Sequence, residues 1–404
     1  MMDVLFMACA YSDTQKSLFL RLSKKGYQFA AQNLQESLIG GLLQNDVNLT
    51  VLSIPSLSTF PRGCSLLYVY EEDFVYNGVN CGNTVGFINL PFIKNWGAKK
   101  KIIKRLEDWY QQCGDRKVIF VYALLRYQMQ IVCSFKEIHP DVKISIIVPD
   151  LPRFMGYNRF LKKLGFQKRG IEKIYDLIGR FDAYVVLAEP MLKDLGVQDR
   201  NSVVVEGIFS GADEDIDVAK SEEKIILYTG NIGKRYGIDL LMDAFALINR
   251  QDYRLWIRGT GDNTSIIERS LVDPRIKYIG PLAKQDLLRL QKTATLLVNP
   301  VSPEQEFTNY FFPSKTMEYM ASGTPTVMFK LNCLPSDYYQ YLYFFEEPTP
   351  KSMAKTIMSI CEKSDTELND FGSRASSFIR ENKNAYRQIK KIKTLFEGLF
   401  DNYY

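Results

Sequence analysis

Short apolar runs alternate with helical patterns along the whole chain. In the first half, β-rich runs near residues 4–9, 48–53, 66–70, 118–125, 143–148 and 183–188 are separated by helical patterns near 28–44, 98–112 and 170–179. This alternation predicts a parallel sheet covered by helices. Within 28–44, Ala30, Leu34, Leu38 and Leu42 recur every four residues, so that face is expected to be buried while Gln32, Asn33, Gln35 and Glu36 look elsewhere. From residue 224 the alternation restarts, with strands at 225–229, 253–258, 276–279, 295–298 and 325–329 and helices at 237–248, 264–271, 284–291 and 314–321. From residue 365 the pattern is helical, and Ile389, Ile392, Leu395, Leu399 and Phe400 form a stripe.

A chain of 404 residues exceeds one ordinary core, so length also favours two domains. The acidic stretch "IFSGADEDIDVAKSEE" at 208–223 has few periodic apolar residues and reads as a linker. The expected division is therefore 1–207, a linker at 208–223, and a second domain from 224. The fold class is α/β, with two doubly wound, Rossmann-like domains facing an interdomain cleft. Open parallel sheets hold ligands at the carboxyl ends of their strands, so the site is expected there.

Composition narrows the class. With 46% hydrophobic and 24% charged residues the chain can build packed cores. Asp3 stands where a signal peptide carries positive charge, and the apolar run 4–10 is short, so no export signal is read. No apolar run approaches the roughly 18 residues that cross a bilayer. The seven cysteines are widely spaced without a Cys-x-x-Cys pair, which fits reduced thiols in a cytoplasmic protein.

Charge is uneven: residues 1–200 hold 26 Lys and Arg against 19 Asp and Glu, and residues 201–404 hold 25 against 27. The basic excess concentrates in 94–117 and 153–180, where "RFLKKLGFQKRGIEK" interleaves aromatic and basic residues. Such a stretch fits either a solvated helix face or peripheral contact with an acidic leaflet, at about 1 kcal/mol per basic residue. Nucleic acid is not expected as a partner.

Candidate chemistry gathers in the second half. In "FFPSKTMEYMASGTPTV" (311–327), Pro313 suits a helix start, leaving amides near Ser314 and Lys315 to form an anion site reinforced by the lysine. One turn on, Glu318 can accept hydrogen bonds from the vicinal hydroxyls of a ribose. A phosphate beside a diol describes a nucleotide. An i,i+3 surface pair of Lys315 with Glu318 fits the local sequence as well.

Other strand ends keep similar company. "YTGNIGKRYG" places Gly230, Gly233, Lys234 and Arg235 after a strand, where glycine admits close approach and a cation can neutralise a diphosphate. "LWIRGTGD" ends in Gly259 and Gly261, a weak signal alone. "KYIGPL", with Ile279 and Gly280, and "LLVNPVSPE" end two further strands in Gly, Pro and polar residues.

Together these motifs resemble the retaining GT-B glycosyltransferases, the glycosyl transferases group 1, that use nucleotide-sugar donors in bacterial capsule, exopolysaccharide and O-antigen synthesis. The resemblance is strongest over 224–330. It implies that Gly230 and Arg235, with Lys234 beside them, grip the donor diphosphate, that Gly259 and Gly261 form the next loop, and that Ile279 and Gly280 border the base. It assigns Glu318 to the ribose, with Ser314 and Lys315 where backbone amides approach phosphate. It implies a metal-independent hexosyltransferase with no cofactor, a UDP-sugar in preference to a GDP-sugar, a saccharide or lipid-linked saccharide acceptor, and residues 385–404 crossing back to the first domain.

Two departures stand out. The family's first Glu of Glu-x7-Glu is replaced by Tyr310, as in a subgroup with "FPSK" before the helix, and "CAYSDTQK" stands where a Gly-Gly loop usually follows the first strand. His139, the only histidine, precedes a strand and reads as structural. Asp150, in "IIVPDLP", closes a first-domain strand; it suits either the acceptor or an ordinary turn. In the retaining mechanism the leaving diphosphate assists the incoming hydroxyl, so no dedicated base is required. Two rivals are a GT-B nucleotide-sugar epimerase and a catalytically silent GT-B-like subunit of a membrane-associated complex.

Overall fold

A computed structural model describes residues 1–24, 29–91, 93–154, 166–211 and 218–401. The chain forms two units, Met1–Ile208 with Ala385–Tyr404, and Phe209–Asn384. Of the expected linker, 212–217 lies outside the described residues, as does 155–165 of the basic stretch.

In the first unit the elements run β1 (Met2–Ala8), α1 (Asp13–Leu22), α2 (Phe29–Leu43), β2 (Val47–Ser53), β3 (Tyr68–Val69), β4 (Glu72–Tyr76), β5 (Val79–Thr84), β6 (Phe87–Ile88), α3 (Ile93–Gln112), β7 (Lys117–Tyr122), α4 (Arg126–Ile138), β8 (Lys143–Val148), α5 (Phe166–Ile178), β9 (Ala183–Val186), α6 (Pro190–Leu195) and β10 (Ser202–Val204). Eight strands form one sheet in the order β10-β9-β8-β7-β1-β2-β5-β4. Seven are parallel; β4 closes the edge antiparallel to β5. β1 and β7 are buried at every position, as expected for strands covered on both faces.

The run at 66–70 does not join this sheet: Tyr68 and Val69 pair antiparallel with β6 in a separate two-stranded sheet. Its expected place is taken by the β4–β5 hairpin, whose turn residues Asn77 and Gly78 both have positive φ, 49° and 77°. Asn-Gly at such a turn matches the twist of the flanking strands.

The second unit contains β11 (Lys224–Asn231), α7 (Ile238–Ala246), β12 (Tyr253–Thr260), α8 (Thr264–Val272), β13 (Ile276–Ile279), α9 (Lys284–Thr293), β14 (Leu296–Asn299), α10 (Ser314–Ala321), β15 (Thr326–Phe329), β16 (Tyr343–Phe345), α11 (Pro350–Cys361) and α12 (Asp365–Asn382). Its six strands are parallel, in the order β13-β12-β11-β14-β15-β16. Numbered within the unit this is 3-2-1-4-5-6, the doubly wound order whose ligand crevice opens where the winding reverses, between β11 and β14.

The final helix, α13 (Ala385–Asp401), belongs to the first unit. Ile389, Ile392 and Phe396 are fully buried in its core with Leu38, Leu42 and Phe120. A Cβ on Gly41 would lie 2.2 Å from the Ile389 side chain, so the close approach of α2 and α13 depends on glycine there.

Candidate nucleotide site

Because all strands of the second sheet run in one direction, the four loops singled out above leave the same edge. Around the reversal point the chain is pinned by side chains. Lys315, second residue of α10, donates from Nζ to Tyr228 Oη at 3.0 Å, and Tyr228 Oη donates to the Asn231 carbonyl at 2.5 Å. The ammonium also sits over the Tyr228 ring at 4.3 Å and the Tyr236 ring at 5.6 Å. Burial drives the Lys315 pKa down from 10.5 to about 7, partly opposed by Glu318. A cation held this way, with aromatic rings for solvent, is poised to gain from an arriving anion.

Gly230 explains how β11 passes this lysine. Its φ is +143°, and a Cβ there would stand 3.2 Å from both Lys315 Nζ and Tyr228 Oη. Gly259, opposite it on β12, is tighter still: a Cβ would fall 1.8 Å from the Gly230 carbonyl oxygen. Gly261 lies in the turn that follows. Both loop glycines thus serve the joint between β11 and β12, which the spacing alone did not reveal.

Arg235 lies in the short turn Lys234–Tyr236. Its Nη2 donates to Tyr236 Oη at 2.7 Å, and its guanidinium stacks over the Tyr236 and Phe307 rings at 4.9 and 5.7 Å. Arg235 and Lys315 therefore share one aromatic ring. The Lys234 side chain lies outside the described residues.

Pro313 is the cap residue of α10, which begins at Ser314 as the sequence suggested, with extended ψ of 101° and no side-chain cap. The amides of Ser314 and Lys315 therefore head the helix without intrahelical partners. Glu318 does not pair with Lys315, whose ammonium is committed to Tyr228. The Glu318 side chain is exposed, and desolvation by the protein around it raises its pKa, opposed by Lys284, Lys315 and Arg258. A carboxylate facing three cations without ion-pairing to one is free to accept from ligand hydroxyls.

Sequence reading missed several of these residues. Arg258 donates to the Leu282 carbonyl at 3.0 Å while its buried Nε has no partner. Tyr278 Oη donates to the Gly259 carbonyl at 2.9 Å, tying β13, which ends at Ile279 just before Gly280, to β12. Asn299, fully buried at the end of β14, donates to Thr316 Oγ1 at 3.3 Å and leaves its Oδ1 without a partner. Tyr310 caps the short turn Glu306–Asn309 and is partly buried.

Asp150 belongs to the first unit, just beyond β8, where desolvation raises its carboxyl pKa. The polar face of α2 is not idle: Gln35 Oε1 accepts from the Cys9 amide at 2.6 Å, and from α4 Gln128 Nε2 donates to Cys9 Sγ at 3.3 Å. These side chains fasten the loop after β1, whose sequence lacks the glycine pair usual in the family it resembles. His139 ends α4, with Nε2 3.1 Å from Glu107 and its ring against Tyr110, a structural setting. All seven cysteines are free thiols.

Residues 223–363, which contain the whole set from Gly230 to Glu318, match the family described as Glycosyl transferases group 1. No curated sequence matches the chain. Among solved structures, sucrose-phosphate synthase from Thermosynechococcus elongatus superposes with a TM-score of 0.59 at 13% identity over 99% of both chains. HepE from Anabaena, in complex with UDP, gives 0.62 at 12% identity, covering 98% of this chain and 100% of its own. A TarM variant from S. aureus, in complex with fondaparinux, alpha-GlcNAc-glycerol and UDP, gives 0.57 at 13%, with coverage of 98% and 100%. At such identities the likeness is one of fold, and the fold is GT-B.

Proposed function

We propose that this GT-B chain, with its glycosyl transferases group 1 segment, is a hexosyltransferase that moves a sugar from a nucleoside diphosphate, UDP in preference to GDP, to a saccharide hydroxyl with retention at the anomeric carbon. The observation that carries this reading is the joint placement of Arg235 and Lys315 on Tyr236, beside Gly230 and the free amides of α10, with Glu318 one turn away. Two cations and two amides suit a diphosphate, and the carboxylate suits a ribose diol. The bond from anomeric carbon to diphosphate oxygen breaks, the acceptor oxygen takes that carbon, and its proton passes to the departing diphosphate. Arg235 and Lys315 stabilise the charge that grows on the leaving oxygen, a contribution that is large when the donors are preorganised. The role requires neither a metal nor a separate base.

Thermal unfolding with UDP, GDP and ADP in turn tests the reading. At 100 times its dissociation constant a nucleotide adds about 2.7 kcal/mol, which raises Tm by about 5–11 °C for a unit of this size. A rise with UDP is expected; no rise with any of the three returns the site to a structural role and favours the silent subunit.

For the acceptor we propose a lipid-linked saccharide in the inner leaflet of the cytoplasmic membrane, reached by peripheral contact of the first unit. Among the described residues no helix is long and apolar enough to cross a membrane. Around the β3–β6 pair, Leu67, Tyr68, Tyr70, Ile88 and Ile93 are exposed, and α3, packed on β6, exposes Lys99, Lys100 and Lys104. Apolar and aromatic groups beside lysines suit an acidic interface. Binding to phosphatidylglycerol vesicles that fades with salt and is lost in a Lys99, Lys100, Lys104 triple glutamate variant is the expected result. Equal retention of variant and wild type on those vesicles refutes the contact.

A further inference from the structure

The ladder between β11 and β14 stops early. Ile226 and Leu227 pair with Leu296 and Leu297, and no rung follows. The Ile225 carbonyl accepts from the Thr295 amide at 2.9 Å, so the backbone groups of residues 225, 227 and 229 face β14 by strand periodicity. Thr229 is thus the next position that β14 would satisfy, and there the strands part to open the crevice. A buried amide and carbonyl without partners would be costly.

Both are satisfied by one side chain. Tyr319 Oη accepts from the Thr229 amide at 2.7 Å and donates to the Thr229 carbonyl at 2.8 Å, with Thr229 Oγ1 at 3.2 Å. The tyrosine is fully buried. It stands on α10 beside Glu318 and one turn beyond Lys315, so the hydroxyl that replaces the missing rung also fixes the distance from the helix to Gly230. On the other side, Asn299 of β14 holds Thr316 of the same helix at 3.3 Å. Helix α10 is therefore fastened to both strands at the point where they separate.

We propose that Tyr319 is the positioning residue of the nucleotide site: its hydroxyl stands in for the absent β14 rung, keeps β11 parted from β14, and sets Lys315 and Glu318 against the Gly230 loop. This rests on the nucleotide reading given above. Tyr319→Phe removes only that hydroxyl. In the full-length protein, well below its unfolding temperature, the dissociation constant for UDP is expected to rise about tenfold. The amides of Thr229, Gly230 and Asn231 should exchange faster, while those of β15 are unchanged. A residue that merely stabilised the core would lower Tm and leave UDP affinity alone.

The outcomes separate cleanly. Wild type that binds UDP alongside a folded Tyr319→Phe that binds it equally well overturns the proposal by itself. Wild type that binds none of UDP, GDP and ADP overturns the nucleotide reading and the proposal with it. If Tyr319→Phe does not fold, hydrogen exchange of the wild type decides: protection of the Thr229 amide comparable to Leu227 supports the bridge, and exchange as fast as an open loop refutes it.

Discussion

Replacing Lys315 with methionine is expected to lower kcat/KM for sugar transfer by roughly a thousandfold, the loss typical of a preorganised donor at a charge-developing oxygen. Methionine keeps the apolar stem against Tyr228 and Tyr236 and removes the charge, so the fold should survive. The same residue sets a pH signature. Its folded-state pKa of about 7 lies below the ordinary 10.5, so between those values the unfolded chain holds a proton that the folded chain has released. Stability of the free protein should therefore rise with pH from about 7 to 10.5, with no contribution from this group below that window. Diphosphate needs the ammonium, so UDP affinity should fall over the same range. Calorimetric titrations across that range should show both slopes in wild type and neither in Lys315→Met. An unchanged kcat/KM in the variant would remove the lysine from the chemistry.

Glu318→Ala carries the second large effect. Hydrogen bonds to a charged group contribute about 1.5–3 kcal/mol each, so UDP affinity should drop roughly ten- to a hundredfold. Discrimination against 2′-deoxyuridine diphosphate should vanish, because the carboxylate is assigned to the ribose diol. Stability should move the other way. Burial raises the Glu318 pKa above its ordinary 4.5; the stability it lends is complete below 4.5 and lost as pH rises through the folded value. At neutral pH the ionised carboxylate therefore costs the free protein something, and alanine is the better helix former. Tm should hold or rise. A variant several degrees less stable that still prefers the ribonucleotide would make Glu318 a structural residue.

Much of the second unit was legible because its strands are short apolar runs that end in Gly, Pro or polar residues, and each such end marks a loop on one edge of a parallel sheet. The residues that pin the loops were not. Tyr228 lies in an apolar strand, Tyr319 beside Glu318 and Asn299 at a strand end, and none was singled out; that Tyr319 reaches Thr229 and Asn299 reaches Thr316 where the strands split is a fact of sheet order, which periodicity does not carry. Arg258 was in plain view in "LWIRGTGD" but stood between more familiar glycines. In the first unit, "VYNGVN" held the Asn-Gly signal of the β4–β5 hairpin, overlooked because alternating strands and helices suggested only parallel pairing. The polar side of α2 was seen, but its role required knowing that Gln35 meets the Cys9 amide, a contact between residues far apart in the chain.

The placement of α13 bears on the order in which the protein takes shape at the ribosome. The second unit ends at Asn384, and its two boundaries meet where the Phe209 amide donates to the Lys383 carbonyl at 2.8 Å. All its strands have been synthesised before α13 emerges. The first unit, although translated first, waits for Ile389, Ile392 and Phe396 to fill its core. At roughly 5–20 residues per second the delay is on the order of ten seconds. During that interval Leu38, Leu42 and Phe120 lack their covering helix, so the nascent chain carries an unfinished hydrophobic face for as long as the later module is being made, and it is the earlier half that has most need of a chaperone.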